Sequence, residues 1–221
     1  YTDALGFGTV AMTLPTADGS ANQVLKTDGS GALSWTTPSS AGASAINDLS
    51  DALIEDTGSM YVGNDPSSTT DAADYNLAVG TTALDAITQG DKNTGVGYNA
   101  LTTNTTGEGN TALGYESLKE NASGGYNVAI GNNSLKKNTG GYNTAIGNSS
   151  LTAKVAGGYN TAIGHTAGNS ITSGTNNVLI GHLSDASTTT PTNQVVIGQA
   201  AIGQADNSVT LGNASVTSVF M

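Results

Sequence analysis

The stretch from Gly140 to Gly168, GGYNTAIGNSSLTAKVAGGYNTAIGHTAG, writes the phrase GGYNTAIG twice. Repetition this close marks either a binding motif used twice or a building unit stacked on itself. The rest of the chain decides between them. The phrase x-[TV]-A-[IL]-G recurs, with small variations, as NTGVG, NTALG, NVAIG, NTAIG, NTAIG and NVLIG, closing on Gly97, Gly114, Gly131, Gly147, Gly164 and Gly181. Looser copies close on Gly63, Gly80, Gly198 and Gly212. From Gly63 the spacings are 17, 17, 17, 17, 16, 17, 17, 17 and 14 residues. A register held this long is the signature of a repeat architecture.

Counting from each closing glycine exposes aligned columns. One residue before it stands an aliphatic, as at Val96, Leu113, Ile130, Ile146, Ile163 and Ile180. Three before it stands a β-branched residue in most copies, as at Thr111, Val128, Thr144 and Val178. Four after it comes Leu84, Leu101, Leu118, Leu135 or Leu151. Alternation with period two predicts strands. Each coil is expected to hold two short strands, one ending at the glycine and one around the following leucine. A second glycine column, Gly90, Gly107, Gly124, Gly140, Gly157 and Gly174, is read as the turn between coils, where positive φ favours glycine. One coil cannot bury its apolar face alone, but stacked coils bury a continuous stripe. The fold expected is all-β, a parallel β-solenoid with a rise of about 4.8 Å per coil and Ile130, Ile146 and Ile163 stacked in one interior column.

Three further columns follow the same register. Asn76, Asn93, Asn110, Asn127, Asn143, Asn160 and Asn177 stand four residues before the glycine, and their stacked amides are expected to hydrogen-bond along the axis. Tyr75, Tyr126, Tyr142 and Tyr159 adjoin them and are expected to cover the coil edge. Ala112, Ala129, Ala145, Ala162, Leu179 and Val196, two before the glycine, are expected to face outward. NVLIG and QVVIG are apolar on both strand faces, and a strand apolar on both faces is normally buried on both. Association with other copies of the chain follows from this, either as a dimer or as a trimer. The short spacings, 16 and 14, both fall in turn segments and spare the strands.

The 14-residue coil resembles the head repeats of trimeric autotransporter adhesins, which are left-handed parallel β-rolls with three chains side by side. The 17-residue version, NTTGEGNTALGYESLKENASGGYNVAIGNNSL, is similar to repeats of bacteriophage tail fibres. LPTADGSANQVLKTDGSGALSWTT resembles a linker of such fibres, and NSVTLGNASVTSVFM resembles the region before a self-cleaving intramolecular chaperone domain. The resemblance implies a left-handed β-roll and a side-by-side homotrimer. It also implies a structural segment of a virion tail fibre that carries or contributes to host-receptor attachment. Its partners would then be itself, other fibre or baseplate proteins, and a host surface glycan or protein. A cell-surface adhesin head or a unit of an extracellular filament is the alternative.

Composition narrows the function classes. The chain has 221 residues and a net charge of −11, with 10% charged residues; its six basic residues are all lysines. Lacking arginine forks and any basic patch, it is not expected to bind nucleic acid. No run of about 18 apolar residues predicts a membrane span, so membrane insertion is not expected. Residues 1–91 hold twelve acids against Lys26, whereas the five acids and five lysines of residues 92–221 balance. The chain opens on Tyr1, not Met, which implies processing or a longer parent. Three segments are expected: an acidic linker and small hairpin over residues 1–45, a lead-in over 46–62, and the repeat shaft over 63–221. NQVLK and ALSW flank Asp28-Gly29, a hairpin signal. TTPSSAGASA reads as a linker. INDLSDALIED fits either a short helix capped by Asn47 or Asp48 or an extended lead-in, and the extended form is preferred.

Candidate chemistry is sparse. The only histidines, His165 and His182, each follow a repeat glycine and should stack on successive coils. They belong either to a surface ladder with Tyr98, Tyr115, Asn132 and Asn148 or, if that column faced a three-fold axis, to a metal site. No paired carboxylates or activated nucleophile recur in the repeat, and neither a catalytic centre nor a cofactor is expected. Five N-x-[ST] sequons, at Asn104, Asn121, Asn132, Asn148 and Asn213, carry no weight in so Asn-, Ser- and Thr-rich a chain.

Overall fold

The structure, a computed structural model, describes residues 4–7, 10–13, 15–16, 20, 23–27, 32–36, 52–54, 58–63, 72–153 and 155–218. The chain divides into two compact units, Tyr1–Ser50 and Asp51–Met221. The first contains two antiparallel hairpins, β1 (Ala4–Phe7) with β2 (Val10–Thr13) and β3 (Val24–Thr27) with β4 (Leu33–Thr36). The β3–β4 hairpin is the one its sequence predicts; its Asp28-Gly29 turn lies outside the described residues, as do Asn47, Asp48 and residues 37–45 of the linker.

In the second unit β5 (Ala52–Ile54) runs antiparallel to β6 (Met60–Val62), so this part of the lead-in is extended. Then β7 (Leu77–Val79), β8 (Thr94–Val96), β9 (Thr111–Leu113), β10 (Val128–Ile130), β11 (Thr144–Ile146), β12 (Thr161–Ile163), β13 (Val178–Ile180), β14 (Gln194–Ile197) and β15 (Ser208–Leu211) follow. From β6 onward each strand pairs in parallel with the next, giving an 11-stranded sheet in chain order. This is a parallel β-solenoid, and no helix occurs among the described residues. The short coils keep register: Ile130 pairs with Ile146 across the 16-residue step, and Ile197 with Leu211 across the 14-residue step.

The two faces of the strands are the reverse of those expected. Ile130, Ile146 and Ile163 do stack in one column, but that column points outward, with Ile146 36% and Ile163 37% exposed. Ala112, Ala129, Ala145, Ala162, Leu179 and Val196 point inward and are fully buried. The reason is steric. The opposite wall of the coil is lined by Leu84, Leu101, Leu118, Leu135 and Leu151, all fully buried. Small residues on the strand leave room for those leucines, whereas inward isoleucines would overfill a coil this narrow.

The second strand expected in each coil is a turn. The five leucines adopt left-handed backbone with φ between 46° and 54°. That conformation costs a bulky residue on the order of 1–3 kcal/mol and persists only where its surroundings hold it. The hold is visible. The amides of Leu84, Leu101, Leu118, Leu135 and Leu151 each donate to a carbonyl of the next coil at 3.0 Å.

The glycine columns also divide differently from expectation. Positive φ belongs to the closing glycines, such as Gly131 at 132°, where an added Cβ would lie 2.5 Å from the Gly147 carbonyl oxygen. The second column, exemplified by Gly140, is required by close approach alone: a Cβ there would sit 2.0 Å from the Gly157 oxygen.

Candidate association surface

The outer face of the sheet runs the length of the solenoid. Its strands are three or four residues long, so two outward columns define it. One runs Val62, Val79, Val96, Leu113, Ile130, Ile146, Ile163, Ile180, Ile197 and Leu211; the other runs Met60, Leu77, Thr94, Thr111, Val128, Thr144, Thr161, Val178, Val195 and Val209. No charged side chain stands in either. Leu113, Ile197 and Leu211 are 40–47% exposed, and most of the others are half-buried by their neighbours alone. Nine steps of about 4.8 Å make the strip roughly 43 Å long. Soluble monomers rarely leave such a strip in water.

Ladders of like residues border the strip. On one side Tyr126, Tyr142 and Tyr159 stack with ring centroids 5.1 and 4.9 Å apart. These tyrosines also take left-handed backbone, with φ of 57–60°, which turns their rings onto the coil edge. The Glu108 carboxylate accepts a hydrogen bond from the Tyr126 hydroxyl and raises its pKa. On the other side Tyr98 and Tyr115 stack at 5.4 Å, and further along the same column His165 and His182 stand 5.2 Å apart.

Beneath the strip the asparagine column forms the ladder its spacing predicts. Each backbone N–H donates to the Oδ1 of the preceding asparagine, as Asn93 does to Asn76 at 2.8 Å and Asn127 to Asn110 at 3.0 Å. From Asn76 to Asn160 each Nδ2 donates to a carbonyl of the second glycine column, such as Asn110 to Gly124 at 2.9 Å, and Asn177 donates to the Pro191 carbonyl at 2.9 Å. The ladder begins at the Ser59 hydroxyl and ends at Gln194. These amides are buried and hydrogen-bonded from coil to coil, so their role is to fix coil on coil.

Sequence reading missed a second buried ladder, Asn104, Asn121 and Asn138. Asn138 donates to Asn121 at 2.9 Å, and Asn121 to Asn104 at 3.4 Å. Their 17-residue spacing was the available signal. Two of them, Asn104 and Asn121, are sequons; both are fully buried, whereas Asn132 and Asn148 are exposed.

Two ion pairs of the solenoid meet at Glu116. Its carboxylate, 10% exposed, meets Lys119 at 2.7 Å and Lys136 of the next coil at 2.5 Å. Hydrogen bonds from these two ammonium groups hold its pKa down at about 2, and the same contact raises that of Lys119. The Asp206 carboxyl is likewise lowered, by the Thr192 amide and then by Gln194. Among the described residues no group of three or more His, Cys, Asp or Glu is placed to hold a metal ion. The cavities beside β15, lined by residues such as Ile202, Thr210 and Val216, are open hollows at the last coil and bring no acid–base pair together.

Comparison of the chain with protein-family models, curated proteins and solved structures found no match.

Proposed function

We infer that the chain is a structural fibre segment, a rigid shaft of a phage tail fibre that assembles as a side-by-side homotrimer and carries or contributes to host attachment. The observation that carries this reading is the uncharged strip of Val, Leu and Ile running the length of the sheet. A repetitive strip on a regular ladder offers similar contacts at every coil, so chains aligned in parallel satisfy all of them together. Closed cyclic symmetry then leaves no strip in water. Three chains, not two, follow from the resemblance of the repeats to trimeric adhesin heads and tail fibres.

Cryo-EM of the native particle or filament that carries the chain tests the function directly. The expected result is threefold density in a tail fibre with a rise of about 4.8 Å per coil. Finding the chain instead on a cell surface or in an extracellular filament would replace this owner.

A further inference from the structure

We propose that His165 and His182 form a two-histidine site for a borderline divalent transition-metal ion, with Zn²⁺ as the reference case. The inference stands on its own geometry and does not depend on the number of chains in the fibre.

The two imidazoles occupy the position just after the closing glycine on neighbouring coils, following β12 and β13. Their ring centroids lie 5.2 Å apart with 32° between the planes. Two imidazoles bound through nitrogen to one tetrahedral Zn²⁺, at about 2.0–2.1 Å each, place their centroids about 5 Å apart. The spacing of the coils has therefore set the rings at chelating distance. Both side chains are exposed, so rotation about their side-chain bonds is free to turn one nitrogen of each ring toward a common ion. By contrast, the Tyr142–Tyr159 stack is nearly parallel, with 5° between planes.

The backbone beneath the pair is fixed. The His165 carbonyl accepts the Leu183 N–H at 3.0 Å, and the His182 carbonyl accepts the Ala200 N–H at 2.8 Å. Holding both ligands on a rigid ladder before binding lowers the ordering cost of chelation. Imidazole suits Zn²⁺, Ni²⁺ and Cu²⁺, and the flanking positions of the column, Asn148 and Gln199, are neutral amides that add no competing charge. Water fills the remaining coordination positions. The bound ion would clip two successive coils together at the edge of the outer sheet face.

The test is calorimetric titration of Zn²⁺ into the folded chain, paired with thermal unfolding. One ion per chain and a raised unfolding temperature are expected. His165→Asn and His182→Asn should each weaken binding by about tenfold or more, since one imidazole cannot chelate. Asparagine already occupies this column at 132 and 148, so both variants should keep the coil, which circular dichroism checks. In the unsubstituted chain, Zn²⁺ should shift the imidazole NMR signals of both histidines together. No binding heat, binding undiminished in the double variant, or a shift at only one histidine would each overturn the proposal.

Discussion

The same inner corner of the solenoid is polar in three consecutive coils and apolar on either side of them. Asn104, Asn121 and Asn138 fill it in the middle; Ile87 precedes them, and Val155 and Ile171 follow. The backbone coil is alike in both regions. What differs is how each column is stabilised. An isoleucine contributes by burial wherever it sits, about 0.8 kcal/mol per buried CH₂, and asks nothing specific of its neighbours. An asparagine here contributes only within a set. Asn104, Asn121 and Asn138 donate to the Gly107, Gly124 and Gly140 carbonyls at 2.9, 2.8 and 2.7 Å, and to one another up the column. Apolar columns tolerate coil-by-coil change, whereas the asparagine column is a unit. In a chain whose coils are otherwise interchangeable, that unit opposes a slip of register by one coil, which would set an amide against an aliphatic side chain.

The largest effect is expected where the two asparagine ladders share an acceptor. The Gly140 carbonyl receives Nδ2 of both Asn127, at 3.0 Å, and Asn138, at 2.7 Å. Gly140→Ala would drive a methyl group into the Gly157 carbonyl and push the coils apart. A loss of roughly 3 kcal/mol or more in urea unfolding is expected, at the upper end of overpacking costs. A loss below about 1 kcal/mol would mean that the close approach is not structural.

Next in size is the asparagine unit itself. Asn121→Leu strips partners from two neighbours and should cost about 1–3 kcal/mol. Replacing Asn104, Asn121 and Asn138 together by leucine removes both sides of each pair within the column, leaving only the 3.3 Å contact from Asn143 to Asn138 one-sided, and should recover much of that loss. If the triple variant instead loses three times the single value, the column is not a unit. Ile171→Asn, which buries an amide in the apolar region without a ladder partner, should cost about as much as Asn121→Leu.

A smaller effect attaches to Glu116. Its folded pKa, about 2, lies below the ordinary value of 4.5. The stabilisation is therefore complete above the ordinary carboxylate range and is lost as pH falls from there through about 2. Unfolding followed from pH 6 to 2 should show this loss in the native chain and a flatter profile in Glu116→Gln. Equal profiles would show that the two lysines do not stabilise the fold through this carboxylate.

Much of this was legible in the sequence, because a period of 17 carries register directly. The strand positions, the Asn76–Asn177 ladder, the stacking of His165 on His182 and the sparing of strands by the short coils all follow from it. The direction of the faces did not. Period two separates Ile146 from Ala145 without saying which is inside, and size is a poor guide when the opposite wall is already leucine. The better cue was parity: Asn143 lies on the same strand face as Ala145, so a buried amide ladder puts the alanines inside. The turn at Leu118 was read as strand because left-handed backbone at leucine has no local sequence signal. The β1–β2 hairpin was also missed, although Gly8 and Thr9 separate two short runs of mixed apolar residues.

The inversion of faces changes which residues association depends on. The alanine column expected to face outward is interior, and the column that faces outward is Leu113–Ile197, so the proposed association would rest on the latter. Sedimentation of the natively folded chain at micromolar concentration, beside an Ile146→Asp/Ile163→Asp variant, tests this most directly. We expect the native chain to sediment as a trimer and the variant to fall to monomers that keep the β-sheet circular dichroism of the solenoid. A native chain that remains a stable monomer, with Ile146 and Ile163 facing water, would contradict association through the outer sheet face.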